Sequence, residues 1–295
     1  MSRAPIEVVL ETALSSYQLR IEVITSARYC GDWVDREPET SRGQFHLMEQ
    51  GECMVSGPSI DTPILLRSGD FIVFPKGTAH ILSACPHTEA PIAASDYTTI
   101  LCGEMEFVSG ARNPVFSALP SHFVVRHGAV SGAFQNIART LIEVSSSDDV
   151  GRHVVRNKLA DSLFTMAVLD HVRSADELKG IFAALTDRRI ANVLAAIQSR
   201  PGADWTLHSM AGLAGMSRTS FALRFAELMG LAPVQYLTQW RINEAHRMLR
   251  DQGISVATVA ELLGYSTEAS FRRTFKRLTG LGPGQVRSAS RLALY

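Results

Sequence analysis

The stretch LHSMAGLAGMSRTSFALRFAELMGLAP, residues 207–233, is answered by VATVAELLGYSTEASFRRTFKRLTGLGP, residues 256–283. Leu207, Ala211, Gly215, Met216, Phe221, Phe225, Leu228, Gly230 and Pro233 set the frame of the first copy. Val256, Ala260, Gly264, Tyr265, Phe271, Phe275, Leu278, Gly280 and Pro283 set the second. Seven of the eight intervals agree; the eighth is one residue longer in the turn, where Met216 to Phe221 becomes Tyr265 to Phe271. A helix of about two turns, a tight glycine turn and a longer second helix make the helix-turn-helix plan, whose second helix enters the major groove of DNA. Two copies in one chain predict two recognition helices held in fixed relation.

The local chemistry supports that plan. Ile190, Val193, Leu194 and Ile197 recur at helical spacing and predict a helix that stops near Ser199-Arg200-Pro201-Gly202. Thr206 and Ser217 stand where N-caps belong in the first copy, and Ser255 and Thr267 in the second. Leu207, Met210, Leu213 and Ala214 are expected to face inward on the first short helix, and Gly215 supplies the turn. Phe221, Phe225 and Leu228 then form a buried stripe, repeated by Phe271, Phe275 and Leu278. The opposite face of the first recognition helix offers Arg218, Thr219, Ala222, Leu223 and Arg224; that of the second offers Glu268, Ala269, Arg272, Arg273 and Lys276, with Arg277 at its flank. Arginine at the front of such a helix suits guanine edges, and lysine farther along suits phosphate. Between the copies, Pro233 to Arg250 carries a helical stripe, with proline at its start and Gly253 beyond its end. About 17 residues make a rod of roughly 25 Å, a spacer able to set two readers near one DNA turn, roughly 34 Å, apart.

Net charge over the 295 residues is zero, but its halves differ: residues 181–295 hold 14 Lys/Arg against 7 Asp/Glu, and residues 1–180 hold 15 against 22. A basic half joined to an acidic one is the footprint of a nucleic-acid-binding domain attached to a domain with another task. A hydrophobic content of 46% excludes a disordered chain. No apolar run reaches the roughly 18 to 20 residues that cross a bilayer, and Glu7 and Glu11 interrupt the N-terminal apolar stretch, so neither membrane span nor signal peptide is expected. Cys30, Cys53, Cys85 and Cys102 form no CxxC pair, which fits reduced thiols in the cytoplasm.

Residues Asp187 to Arg287, with DWTLHSMAGLAGMSRTSFALRF and VAELLGYSTEASFRRTFKRLTG at their centre, resemble the DNA-binding domain of AraC/XylS-type transcriptional regulators. The resemblance implies base-reading positions at Thr219, Ala222 and Leu223, and at Glu268, Ala269, Arg272 and Arg273. Ala222 and Leu223 depart from the polar or basic side chains common there, which places more of the readout on the second copy or on DNA shape. It also implies double-stranded promoter DNA and RNA polymerase as partners, and activation as the outcome.

The front half reads differently. Ile6–Leu10, Leu19–Ile24, Phe45–Glu49, Glu52–Ser56, Ile64–Leu66, Phe71–Phe74, His80–Leu82 and Thr98–Leu101 read as short strands between Gly and Pro turns, the pattern of a small barrel or jelly roll. Gly69 to His80 has the spacing G-x5-P-x-G-x2-H, which resembles the second cupin motif, and FHLMEQGE at 45–52 resembles part of the first. With GDW at 31–33, these pieces resemble the cupin-type sensor that precedes the DNA-binding domain in one AraC subgroup, over roughly residues 5–175. That implies a small-molecule or chemical effector, with His46, Glu52, His80 and Trp33 as candidate contacts. Met48 stands where metal-binding cupins place a second histidine, and a thioether suits hard divalent ions poorly, so no metal or other cofactor is expected. Cys85 and Cys102, flanking a loop with His80 and His87, are the candidate redox-sensitive thiols, against the plainer reading of buried structural cysteines.

Phe134, Ile137, Ala138, Leu141 and Ile142 form one amphipathic stripe, and Leu159, Leu163, Phe164, Met166, Ala167 and Leu169–Val172 another. Such helices, at about residues 130–175, either pack on their own barrel or pair two subunits into a homodimer. The expectation is thus an α+β multidomain chain. Residues 1–180 form a cupin-like β-barrel with flanking helices, and residues 181–295 an all-α domain with helix-turn-helix units at about 206–229 and 255–279 joined by a linker helix at 233–250. It is expected to be a one-component, sequence-specific transcriptional regulator and no enzyme. The competing reading is a metal-dependent cupin enzyme with an accessory helical part.

Overall fold

A computed structural model describes residues 19–85, 97–107, 114–147, 149–175, 178–251 and 254–292. They fall into two compact units, a sheet-rich one of residues 19–106 and 119–175, and a helical one that takes in residues 114–118 and 178–292.

In the sheet-rich unit, strands β1 (Leu19–Tyr29), β2 (Val34–Glu37), β3 (Gly43–Gln50), β4 (Glu52–Gly57), β5 (Ile60–Arg67), β6 (Phe71–Phe74), β7 (His80–Ser83), β8 (Thr98–Phe107) and β9 (Phe123–Val125) make two sheets. One has the order β1-β8-β3-β6-β9 and the other β2-β7-β4-β5. The expected barrel is therefore two open sheets among the described residues, not one closed hydrogen-bonded ring. Several strands outrun the apolar runs that announced them, and β2 and β9 had no such run. The strand expected at Ile6–Leu10 lies outside the described residues.

Strand alternation places the interior. On β3 the residues from Gly43 to Met48 are all buried, which requires cover on both faces. Met48 packs with Cys53, Val55, Ile72, Phe74 and Leu82, in a cluster drawn from both sheets. His46 and Gln44 share its parity and point between the sheets. Phe45 and Leu47 point the other way, where Phe45 meets Phe71 at 5.5 Å between ring centroids and Phe71 meets Phe134 at 6.1 Å.

Phe134 belongs to helix α2 (Gly132–Ser146), which follows a short helix α1 (Pro114–Ala118) and packs on α3 (Arg152–Ser174). Phe134, Ala138 and Leu141 of α2, and Ala160, Leu163, Phe164, Ala167 and Val168 of α3, are buried inside this unit. The guanidinium of Arg156 donates to the Val23 carbonyl and the Val23 N–H donates to the Asn157 side chain, fastening α3 to β1. The two stripes thus cover the unit's own sheet.

The helical unit contains α4 (Gly180–Thr186), α5 (Arg188–Ser199), α6 (Leu207–Leu213), α7 (Arg218–Met229), α8 (Pro233–Asp251), α9 (Val256–Leu262), α10 (Glu268–Thr279) and α11 (Pro283–Leu292). Thr206, Ser217, Ser255 and Thr267 each accept an N–H from the first turn of the helix that follows, satisfying donors that would otherwise face nothing. Gly215 and Gly264 make the turns at φ of 63° and 71°, a region costly for any side chain. Phe221, Phe225, Phe271 and Phe275 are fully buried, whereas Leu228 and Leu278 are only half-buried and Met229 completes the first stripe. Leu213, expected inside, is 47% exposed because Met210, Ala211 and Ala214 already fill the inward arc of its short helix. No helix among the described residues is long and apolar enough to cross a membrane.

Candidate nucleic-acid interface and sensor core

Helix-turn-helix packing buries one stripe of α7 and α10 and leaves the other free. On α7, Arg218 and Thr219 are exposed, Ala222 is half-buried, and Leu223 is 68% exposed. Arg224 is already engaged: its Nε donates to Asp187 at 2.9 Å and its Nη1 to Glu227 at 3.0 Å. Asp187 also caps α5 by accepting the N–H groups of Arg189 and Ile190. Burial pushes its carboxyl up, but the Arg224 hydrogen bond and those two N–H groups outweigh it and hold the group below the usual carboxylate range. Arg188 and Arg189, both exposed, line the same surface hollow as Arg224 and Met216. No local pattern announces this, since some thirty residues separate the pair from the recognition helix.

On α10, Ala269, Arg273 and Lys276 are exposed and Glu268 is half-buried. Arg272 is exposed too, with its guanidinium on Glu268 at 2.6 Å, one turn back on the same face. Both recognition helices therefore carry an arginine that a neighbouring carboxylate holds in place, while Arg218 on the first and Arg273 and Lys276 on the second project from the surface.

The interior of the sheet-rich unit holds a chain of polar contacts. His46 on β3 and His80 on β7 are both 1% exposed, with Nε2 atoms 2.7 Å apart. Cys102 lies opposite His46 across the β3–β8 pair, its Sγ 3.1 Å from His46 Nδ1. His80 Nδ1 is 2.8 Å from the Thr78 carbonyl, and the imidazole stacks on Phe74 at 3.6 Å. A carbonyl only accepts, so His80 carries its proton on Nδ1 and offers a lone pair at Nε2. His46 Nε2–H must donate to it, which leaves His46 Nδ1 to accept from the Cys102 thiol. One direction results: Cys102 to His46 to His80 to Thr78.

Burial keeps every member neutral. It draws His46 down to about 3, with His80 adding to the effect, and it lowers His80 as well. It pushes the Cys102 thiol up to about 12, as it does Cys53. At neutral pH these thiols carry their protons and lack thiolate reactivity.

Other candidates stand elsewhere. Glu52 opens β4, where Cys53 and Val55 take the inward positions, so it faces out and pairs with Arg67 at 3.0 Å. It does not join the histidines. Trp33 is half-buried and packs on the inter-sheet cluster, stacked on Tyr29 at 4.1 Å; the Tyr29 hydroxyl donates to Asp35 at 2.5 Å. Cys85 is half-buried at the edge of the loop that lies outside the described residues. Sequence reasoning passed over Cys53, a buried thiol whose Sγ lies 3.5 Å from Met48 Sδ, and His122, whose ring lies 6.0 Å from Phe74. Its signal was there, as a cysteine at an inward parity of β4.

These residues do not fit a cupin metal centre. Met48 fills a ligand place, Glu52 is outside, and the free lone pair of each histidine is spent in the polar chain. Among the described residues no group of three or more His, Cys, Asp or Glu is arranged to hold an ion.

Two helix-turn-helix units beside a two-sheet domain with a buried polar core define a DNA-binding regulator with a sensor domain. Residues 9–173 match the family model described as Cupin, and residues 210–289 match the one described as helix-turn-helix domain. The chain belongs to the AraC-type transcriptional regulators that carry an N-terminal cupin domain. It is 29% identical to the RCS-specific HTH-type transcriptional activator RclR of Escherichia coli, over 86% of this chain and 87% of that one. It is 26% identical to a putative AraC-like transcription regulator of Streptomyces lividans, over 94% and 97% of the two chains. Among solved structures, the DNA-binding domain of AdpA in complex with a target DNA is 33% identical, covering 35% of this chain and 93% of that one with a TM-score of 0.34.

Proposed function

We propose that this chain is a cytoplasmic transcriptional activator whose sheet domain senses a small-molecule or chemical signal and whose helical unit binds promoter DNA where RNA polymerase is engaged. The observation that carries the reading is the duplicated helix-turn-helix, capped at all four helix starts, with arginines on the outward face of each second helix. Activation is favoured by the Escherichia coli relative, a transcriptional activator. Arg218, Thr219, Ala222 and Leu223 read bases from the first helix, and Glu268, Ala269, Arg272 and Arg273 from the second. Lys276, with Arg188, Arg189 and Arg224, holds phosphate, to which such side chains donate without regard to sequence.

The effector enters between the sheets near Trp33, His46 and His80. A ligand with a donor or acceptor group disrupts the directional Cys102–His46–His80 chain, and its free energy shifts the DNA-competent population only in so far as it binds the two states unequally. Oxidation at Cys85 or Cys102 is the less favoured signal, because burial holds both thiols protonated. The protein works as a homodimer through the exposed Val150, Val154 and Val155 at the start of α3, and it is not an enzyme. Selection of genomic fragments with the full-length protein, at physiological salt with competitor DNA, tests the proposal. Recovery of one motif with two half-sites about a helical turn apart is expected; uniform recovery, with and without cell extract as an effector source, contradicts it.

A further inference from the structure

Three segments that are distant in sequence meet at one guanidinium. Arg241 lies on the spacer helix α8 and is half-buried. Its Nε donates to the Pro201 carbonyl at 2.8 Å and its Nη2 to the Ala203 carbonyl at 2.9 Å. Both carbonyls belong to the loop that leads into the first helix-turn-helix. The same guanidinium lies 5.8 Å from the centre of the Tyr265 ring, in the turn of the second.

The loop and the turn also touch backbone to backbone. A Cβ on Gly202 would sit 2.0 Å from the Leu262 carbonyl oxygen, and one on Gly264 would sit 2.5 Å from the Gly202 oxygen and 3.0 Å from Arg241 Nη2. The loop itself is braced, since the Trp205 indole N–H and the Ala203 N–H both donate to the Arg200 carbonyl. Without Arg241 the Pro201 and Ala203 carbonyls lose these donors, and the loop loses its side-chain tie to α8 while the backbone contact at Gly202 and Gly264 remains.

We propose that Arg241 is the positioning residue that fixes the register of one recognition helix against the other. It touches neither recognition face; it ties the entry loop of the first helix-turn-helix to the spacer and seats the turn of the second against that loop. A rigid pair of binding modules converts the second contact into an intramolecular event, and the advantage disappears when the geometry loosens. The spacing that this protein demands between half-sites is therefore written at Arg241, Gly202 and Gly264, away from the DNA.

The proposal rests on the two-reader reading above, and its test separates the two. The probes are the bipartite duplex recovered by selection from a random-sequence library, the same duplex with one half-site scrambled, and versions with one or two base pairs added between half-sites. For full-length Arg241→Gln, affinity for the bipartite duplex is expected to fall about tenfold or more while affinity for the single half-site stays within about twofold, and the penalty for added base pairs shrinks. Arg241→Lys, with one point donor in place of a fork, recovers part of the loss. An unchanged bipartite affinity and spacing preference, or an equal loss on both duplexes, overturns the proposal. Should Arg241→Gln not fold, Gly202→Ala opens the same joint from the other side, with the same outcomes. Spin labels on genetically encoded keto residues at Thr219 and Ala269 give a DNA-free readout: a narrow distance distribution that broadens in the variant supports the clamp, and no change overturns it. If no bipartite duplex is recovered, the two-reader reading fails, and the label distances still decide the clamp.

Discussion

His46 is buried beside a second imidazole, and the cost of charging it there sets a pH dependence with a definite sign. In the unfolded chain it titrates near 6.5, and in the fold near 3. Between those values the unfolded state binds more protons, so the stability that His46 lends is full above about pH 6.5 and is lost as pH falls towards 3, at up to about 1.4 kcal/mol per pH unit. His80 is shifted in the same direction and steepens the slope. Urea unfolding at pH 7 and pH 5.5 should show a clear loss in the wild type and a smaller one in His46→Asn; parallel losses would show that His46 does not carry the effect. On the DNA side, Arg273→Ala should cost about 1 to 3 kcal/mol of binding and relax preference at one base, while Lys276→Ala should weaken all sequences alike and lower the salt slope by about one. A base-selective loss at Lys276, or a uniform one at Arg273, exchanges their roles. The His46–His80 meeting was half legible, because the two motifs were readable but their tautomeric order needs the Thr78 carbonyl. Glu52 was misplaced because spacing along the chain does not reveal which face of β4 it takes.

At the scale of elements, the two helix-turn-helix turns are alike in sequence and unlike in surroundings. A Cβ on Gly215 meets nothing within 4 Å and suffers only the positive φ, whereas one on Gly264 also strikes the Gly202 carbonyl. Gly215→Ala should therefore cost about 1 kcal/mol and Gly264→Ala distinctly more, as read by thermal unfolding; equal costs would mean that the close approach is not maintained in solution. Ser217→Ala and Thr267→Ala should each cost about 1 kcal/mol through the lost caps, and no shift in unfolding midpoint for either would contradict the capping contacts. The helices were legible because their signals are local: a cap, a periodic stripe and a glycine. The strands were legible where the apolar run is strong, as at Phe71–Phe74, where all four residues are apolar and buried. They were not at Val34–Glu37, whose inward positions are the polar Asp35 and Glu37, nor at the three-residue β9, too short to show a period.

For the whole molecule, the division of charge into an acidic front and a basic rear announced two tasks, and two compact units carry them. The grouping of residues 114–118 with the helical unit could not be read from the chain, because it depends on contacts between α1 and α4 that no local pattern encodes. Nor could the fate of the α2 and α3 stripes, since an apolar face looks the same whether its own sheet or a second subunit covers it. In the proposed function two recognition helices on one chain grip DNA together. Hydroxyl-radical footprinting of the full-length protein on its selected duplex measures this directly. Two protected patches on one face of the duplex for each bound chain, centred about 10 base pairs apart, are the predicted result; a single patch per chain, unchanged when Arg272 and Arg273 are both replaced by alanine, would contradict it.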